Sequence, residues 1–411
     1  MTVVRRVGLA MVVAAGFAAV AAPRDGGGAG ASAPATVTVE DPLVVHTLYT
    51  WYTERSFDRA TVPPLQRFRS DDPDHYRRSF PLLRANGVDV VAGVLTGLPG
   101  ERGRDGKPLP TAYQAENLQR IVPLVGAAGM KFFVYYDLAI RSWWKSGLSR
   151  GQLDLRDEAL RRQILGDFEW IAEALVKRHE DDYLFLQTAS GRFVLDEDGL
   201  KRPVVAVYLV RSLRDDVGFP AVARLFDREL AGLFHRKGLG RPALVLDVVF
   251  WGARTFDTGL VRAFGANAVA LTSFCPVTPR PDVRSLGDWV PLFGCLYARA
   301  AAEMAQQAAS GGLPRTVQFW PGIVPNFEKG DDRSGRAAHV GEWEAMLRMG
   351  LEATRRLAGV GEDDPIRGMT IIYTDEYYEG TSLLADNGLY TLPLTVQGDV
   401  LRDRGIRLER F

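Results

Sequence analysis

Pro203-Val204-Val205-Ala206-Val207-Tyr208-Leu209 carries the clearest fold signal in the chain. The run is apolar at nearly every position, not at every second one, and it is rich in β-branched valine. A strand with one wet face alternates between apolar and polar residues, whereas a strand covered on both faces does not. This stretch therefore predicts a parallel strand buried on both sides.

Similar stretches lie on either side of it. Upstream, Pro42 to Tyr52, Val88 to Leu95 and Met130 to Leu138 read as strands, and downstream so do Ala243 to Trp251, Ala268 to Phe274, Pro314 to Gly322 and Met369 to Tyr373. Helical patterns fall between them at His75 to Asn86, Ala115 to Ala128, Asp154 to Arg178, Phe219 to Lys237, Ala298 to Ala309 and Val340 to Leu357. Strands that alternate with helical or long segments predict an α/β fold with a parallel sheet. Eight such units in one chain predict a (β/α)8 TIM-type barrel with long βα loops, with a doubly wound open sheet as the alternative. No internal repeat is evident.

Composition narrows the function. The 411 residues carry 50 basic and 50 acidic side chains, for a formal net charge of zero. That balance argues against nucleic acid or an anionic surface as the main partner. The five histidines are scattered without metal-ligand spacing, and neither a Gly-x-Ser-x-Gly elbow nor a phosphate-binding glycine pattern is present. The expectation is therefore no cofactor and no metal, with an all-carboxylate calcium site left open. His46, in the first strand, reads as a structural histidine before it reads as a site residue.

At the N-terminus, Arg5 and Arg6 precede an apolar run from Val7 to Ala22, with Ala19-Val20-Ala21 as a small-residue cleavage site. Residues 1–22 read as a secretory signal peptide, with a lone anchoring helix as the alternative. Residues 23–40 read as a disordered Gly/Ala/Pro linker, and 41–411 as a single catalytic domain. The expected mature protein is a secreted or periplasmic monomer, free of membrane once the signal is cleaved. Cys275 and Cys295, the two cysteines, could form a disulfide or remain two buried thiols.

The closing strand runs directly into acids and aromatics: Tyr373-Thr374-Asp375-Glu376-Tyr377-Tyr378-Glu379-Gly380-Thr381. In a barrel the C-terminal strand ends build the active site. Carboxylates placed there are costly unless they have a partner or a task. Glu376 and Glu379, three residues apart among aromatic rings, are a candidate acid/base pair for work on a sugar. Glu-x-x-Glu also occurs on ordinary solvated helix faces, which is the competing structural reading. Other strand ends add candidate substrate-binding residues: Tyr49, Trp51, Tyr52, Tyr136, Asp137, Trp143, Trp144, Tyr208, Trp251, Trp320, Tyr373, Asp375 and Tyr377. Thr96 and Asp247 fall at strand ends as well. Sugar rings stack on such aromatic faces, and sugar hydroxyls bond to carboxylates, although some of these rings are expected to fill the core. Tyr135 and Tyr136 alternate along one strand, so one of them must face the helices.

The segment Asp375 to Thr381 resembles the closing motif of glycoside hydrolase family 99, the endo-acting α-mannosidases, and of the looser family-99-like and family-71-like groups. Their pattern is Asn-Glu-aromatic-x-Glu-Gly-Thr. The two glutamates, the aromatic, the glycine and the threonine match, while Asp375 replaces the asparagine and Tyr377 the usual tryptophan. Leu383-Leu384-Ala385-Asp386 stands where the family has an Ile-Glu-Pro-like segment. Tyr49-Thr50-Trp51-Tyr52, Pro203 to Tyr208 and the strand ending at Trp320-Pro321-Gly322 resemble further elements of the same group. The resemblance implies a divergent member that hydrolyses α-mannan- or α-glucan-type glycan with retention. In that chemistry Glu376 would act as base on the substrate's 2-hydroxyl, forming a 1,2-anhydro sugar, and Glu379 would act as general acid and then base. The residues alone leave a direct carboxylate nucleophile equally open. A non-catalytic glycan-binding barrel is the alternative from another functional class, and an exported structural or adhesive domain is a third.

Overall fold

The computed structural model describes residues 42–59, 68–103, 105–107, 109, 113–138, 153–208, 210, 213, 219–248, 258–272, 304, 306, 307, 309–312, 317–323, 326–327, 336–337, 340–357, 364 and 366–372. The strands in chain order are β1 (Leu43–Leu48), β2 (Val90–Leu95), β3 (Lys131–Asp137), β4 (Val204–Tyr208), β5 (Ala243–Asp247), β6 (Ala268–Thr272), β7 (Gln318–Phe319) and β8 (Gly322–Ile323). A small antiparallel pair follows, β9 (Asn326–Phe327) with β10 (Arg336–Ala337), and then β11 (Met369–Ile372). Helices α1 (Pro73–Ala85), α2 (Gln114–Ala127) and α3 (Glu158–Trp170) lie between the early strands. Helix α4 is a continuous run of Phe219–Val222, Ala223–Glu229 and Leu230–Arg236. Then come α5 (Thr258–Ala263) and α6 (Val340–Leu357). Among the described residues no helix is long and apolar enough to cross a membrane.

The main sheet has the order β7-β6-β5-β4-β3-β2-β1-β11-β8, and every pairing within it is parallel. Its two ends are pieces of one strand. Only Trp320 and Pro321 separate β7 from β8. Trp320 N–H donates to the Leu271 carbonyl on β6 at 2.8 Å, and Ile371 N–H on β11 donates to the Pro321 carbonyl at 2.9 Å. Gln318 to Ile323 therefore bonds to β6 at its start and to β11 at its end, which closes the sheet. Pro321 fits there because this position uses its carbonyl and needs no N–H. The result is an eight-stranded (β/α)8 barrel of TIM type. The seventh strand, expected as a single run, is split at this hand-over between two neighbours.

The sides of the wall can be assigned from contacts. Thr370 on β11 hydrogen-bonds Thr354 of α6 at 2.7 Å, so Thr370 faces the helices. Through the register Thr370–Val44 and Ile372–His46, Val44 and His46 face outward as well. His46 therefore points at the helix layer, away from the barrel interior. Gly93 is another outward position: a Cβ there would meet Leu118 of α2 and Phe132 of β3 at 2.6 Å each. Glycine lets α2 seat directly on β2.

Local sequence explains the helix starts. Asp72 accepts from Asp74 N–H just ahead of Pro73, and Asp157 accepts from Ala159 and Leu160 N–H ahead of Glu158. The expected helix from Asp154 accordingly starts at Glu158 and continues through Ile171–Lys177 in wider π-helical turns. At the N-terminal face of the barrel, buried Asp89 accepts from Val44 N–H at 2.9 Å and pairs with Arg84 at 3.0 Å. This ties the entrance of β1 to the end of α1.

Candidate active site

The C-terminal ends of the strands form one mouth, and three successive strands place polar groups on its inner wall. Tyr135 of β3 donates to Oδ2 of Asp247, the last residue of β5, at 3.3 Å. Strand β4 lies between them, and Tyr135 alternates with Tyr136, which bonds to the helix layer, so this bond crosses β4 on the inner side of the barrel. Asp137 has the same parity as Tyr135 and pairs in register with Tyr208 at the end of β4. The rings of Tyr135 and Tyr208 are 5.9 Å apart. Asp247 is fully buried, Asp137 is 3% exposed and Tyr208 is partly exposed. Thr272 of β6, buried and in register with Asp247, extends the row. Two carboxylates, two phenols and a threonine hydroxyl thus line adjacent strand ends.

Tyr136 was expected among the substrate-binding residues. Its hydroxyl instead donates to Asp167 of α3 at 2.7 Å, and its ring packs on Phe168 at 5.2 Å. The register Gly93–Val134 and Leu95–Tyr136 puts it on the same outer side as Gly93. Tyr135 is the tyrosine of this pair that reaches the interior. Composition cannot separate two adjacent tyrosines, but strand parity can once one outward neighbour is known.

Tyr49, Trp51 and Tyr52 sit together beyond the end of β1. Tyr49 and Trp51 lie 4.7 Å apart, and Trp51 and Tyr52 lie 6.1 Å apart. Trp51 is partly exposed, while Tyr49 and Tyr52 are buried. Tyr52 is held from behind. Its N–H donates to Ser70 Oγ at 2.9 Å, and its carbonyl accepts from Ser70 N–H at 2.8 Å. Its ring meets Phe68 edge-on at 6.2 Å, and Phe68 stacks on His75 of α1 at 3.7 Å with the planes 3° apart. Burial, reinforced by nearby Arg78 and opposed by Asp72, lowers the His75 pKa from 6.5 to about 4. The imidazole supporting this aromatic wall is therefore neutral at neutral pH.

Gln114 braces the mouth between β1 and β2. Its side-chain oxygen accepts from both the backbone N–H of Thr96 at 2.9 Å and the Thr96 hydroxyl at 2.6 Å. Its own carbonyl accepts from the Thr50 hydroxyl at 3.3 Å, and Asn117 Nδ2 donates to the Thr50 carbonyl at 2.9 Å. The amide cannot be flipped, because Thr96 N–H needs an acceptor. Among the described residues, Gln114 Nε2 and Trp51 Nε1, both buried N–H donors, then have no hydrogen-bond partner. Gln114 does not stand out in the sequence. Its only signal was its place at the first position of the helix after a strand-end loop.

Trp320 is fully buried on the inner side of the split strand, and it donates to Gln318 Oε1 at 2.8 Å. Gln318 in turn donates to the Ile366 carbonyl at 2.7 Å. Trp320 thus fills the barrel interior beside the strand hand-over. Trp143, Trp144, Trp251, Tyr373, Asp375, Glu376, Tyr377 and Glu379 lie outside the described residues, as do Cys275 and Cys295. Strand β11 is described up to Ile372, three residues before Asp375. Among the described residues no group of three or more His, Cys, Asp or Glu is placed to hold a metal ion.

No protein-family model and no curated protein matches the sequence. Solved structures do match the fold. A structure described as a glycoside hydrolase-like protein aligns with a TM-score of 0.60 at 11% identity, covering 91% of this chain and 97% of that one. The family 99 endo-α-mannosidase from Bacteroides thetaiotaomicron, in complex with bis-tris-propane, aligns with a TM-score of 0.52 at 13% identity, covering 89% and 98%. A second structure of that enzyme gives 0.52 at 12%, covering 88% and 98%. At these identities the likeness is one of fold: the chain has the barrel of the family 99 endo-α-mannosidase along nearly its whole length, as the motif resemblance implied.

Proposed function

We propose that this chain is an exported glycoside hydrolase that cleaves α-linked glycan of the α-mannan or α-glucan type. The observation that carries the reading is the sequence that follows β11. In a barrel of this kind the chemistry gathers at the C-terminal strand ends. The sequence after β11 runs at once into Asp375, Glu376 and Glu379. The described part of the same mouth supplies what a sugar needs: carboxylates at Asp137 and Asp247, phenols at Tyr135 and Tyr208, and the ring of Trp51.

Glycoside hydrolysis needs one carboxylic acid to protonate the leaving oxygen and one carboxylate to act on the other side of the reacting centre. Two glutamates close together favour this, because the first to ionise raises the pKa of the second. Glu379 takes the role of acid and then base. Glu376 takes the role of base on the substrate's 2-hydroxyl, in a retaining reaction. Residues 1–22 act as the export signal, and residues 41–411 act as one catalytic domain.

The test is activity of the purified mature chain on a panel of α-mannans, α-glucans and their aryl glycosides, with Glu376→Gln and Glu379→Gln alongside. Each variant should lose turnover by about 100-fold or more, the range for removing a positioned acid or base. Unchanged turnover in Glu379→Gln would sink the acid assignment. Glycan binding without cleavage of any substrate would support the binding-barrel alternative instead.

A further inference from the structure

We propose that Asn117 of α2 is a positioning residue of the glycan site: with the Gln114 carbonyl it clamps Thr50, and the clamp holds the Trp51 ring as a fixed stacking face for a pyranose. This rests on the glycan-directed reading above. Strand β1 ends at Leu48, so Tyr49 to Tyr52 lie past its ladder, and side chains take over from strand pairing. The alternation along β1 continues into this segment. His46 faces the helix layer, and so does Thr50. The Thr50 hydroxyl donates to the Gln114 carbonyl at 3.3 Å, and the Thr50 carbonyl accepts from Asn117 Nδ2 at 2.9 Å. Tyr49 and Trp51, on either side of Thr50, therefore turn to the inner side of the mouth, where their rings lie 4.7 Å apart.

Trp51 stands between two anchors. On one side Thr50 is fully buried, and Asn117 is 1% exposed. On the other side Tyr52 is bound to Ser70 through both its N–H, at 2.9 Å, and its carbonyl, at 2.8 Å. Trp51 itself is partly exposed. A backbone fixed on both sides of a ring that reaches solvent is a preorganised binding group, with little further freedom to lose when a ligand arrives. The indole face is electron-rich, and the C–H face of a sugar ring is its complement. Asn117 suits the clamp because an amide can donate. Its Oδ1 accepts from Arg120 Nη1 at 3.4 Å, which leaves Nδ2 for Thr50. An aspartate of the same shape would set a carboxylate against the Thr50 carbonyl.

A double-mutant cycle separates positioning through Trp51 from support of the barrel as a whole. Binding of α-linked mannotetraose and maltotetraose to the purified chain is followed by isothermal calorimetry. Wild type should bind at least one of them. Trp51→Leu keeps apolar bulk and removes the stacking face, and should weaken that binding at least about tenfold, the scale of losing an aromatic anchor. Asn117→Asp keeps the shape and removes the donor, and should weaken it roughly threefold to tenfold. In the Trp51→Leu background the same exchange should change affinity by less than about twofold, because Asn117 acts through the ring, whereas a structural role would carry over in full. Thr50→Val removes only the hydroxyl bond and repeats the cycle if Asn117→Asp does not fold; its loss should be about twofold to fivefold, and it should vanish in the same background. Wild-type affinity in Trp51→Leu, wild-type affinity in the folded clamp variants, or clamp losses that add in full to that of Trp51→Leu would each overturn the proposal while leaving the glycan reading standing. Failure of the wild-type chain to bind either sugar would remove that reading, and this proposal with it.

Discussion

Acid should loosen the aromatic wall behind Trp51 and Tyr52, and His75 sets the size of the effect. Burial holds the His75 pKa at about 4 in the fold, against 6.5 for the free side chain. The unfolded chain therefore takes up the proton first as pH falls. Stability contributed by neutral His75 is complete above pH 6.5, falls as pH drops below it, and is gone below about pH 4. The full difference corresponds to about 3 kcal/mol, at about 1.4 kcal/mol per pH unit. Roughly 2 kcal/mol of it should be lost by pH 5. Other carboxylates titrate nearby, so the measurement is a comparison. Urea unfolding of wild type and His75→Phe should be followed from pH 7.5 to pH 4.5. Phenylalanine keeps the stack on Phe68, 3.7 Å away, and removes the titration. The two proteins should differ by less than about 1 kcal/mol at pH 7.5, a shape-conserving exchange. The variant should gain about 2 kcal/mol on wild type by pH 5. A difference independent of pH would refute the reasoning, because it would mean that His75 protonates equally easily in the folded and unfolded chains.

Three further outcomes follow from the same geometry. Asp89→Ala removes the acceptor for Val44 N–H and strands the partly buried Arg84, and should cost about 3 kcal/mol in chemical denaturation. Gly93→Ala forces a methyl against Leu118 and Phe132 and should lower stability by about 1–3 kcal/mol, read as a lower urea midpoint at unchanged slope. Gln114→Ala takes the shared acceptor from Thr96 and should cost about 2 kcal/mol, with faster amide exchange at Thr96 as its local signature.

The sequence made the fold legible where burial on both faces wrote itself into composition. Val204 to Val207, Val90 to Leu95 and Phe132 to Val134 are apolar without alternation because helices cover one side and the packed barrel interior the other. That same uniformity hid the inside-outside assignment. Tyr135 and Tyr136 are the same residue type on a strand whose charged residues, Lys131 and Asp137, stand only at its two ends, so Tyr136 read as a site residue although it belongs to Asp167 and the helix layer. The split of the seventh strand was also invisible. Gln318 and Phe319 look like any strand, and only their pairing shows that the strand leaves β6 at Trp320 and joins β11 at Pro321. Gln114 was missed for a related reason: a glutamine opening a helix is ordinary until Thr50 and Thr96 are seen to close on it.

The two ends of the barrel treat buried acids differently, and the contrast separates scaffold from site. At the N-terminal face, Asp89 is met by the Arg84 guanidinium and by a backbone N–H of β1. A cation and an amide use up the carboxylate's charge and its lone pairs, and what remains is a staple between α1 and β1. At the C-terminal face, Asp247 is met across the barrel by a phenol. A neutral donor of this kind brings no charge to the carboxylate it holds. The same residue type is therefore met by a cation at one end of the barrel and by a phenol at the other. Exchanging the compensation tests that logic. An arginine placed at Tyr208, beside Asp137 and within reach of Asp247, should abolish neutral-sugar binding while costing the fold little, because Tyr208 is already partly exposed. A Tyr208→Arg protein that is folded and binds sugar as wild type does would show that these carboxylates, like Asp89, serve the scaffold alone.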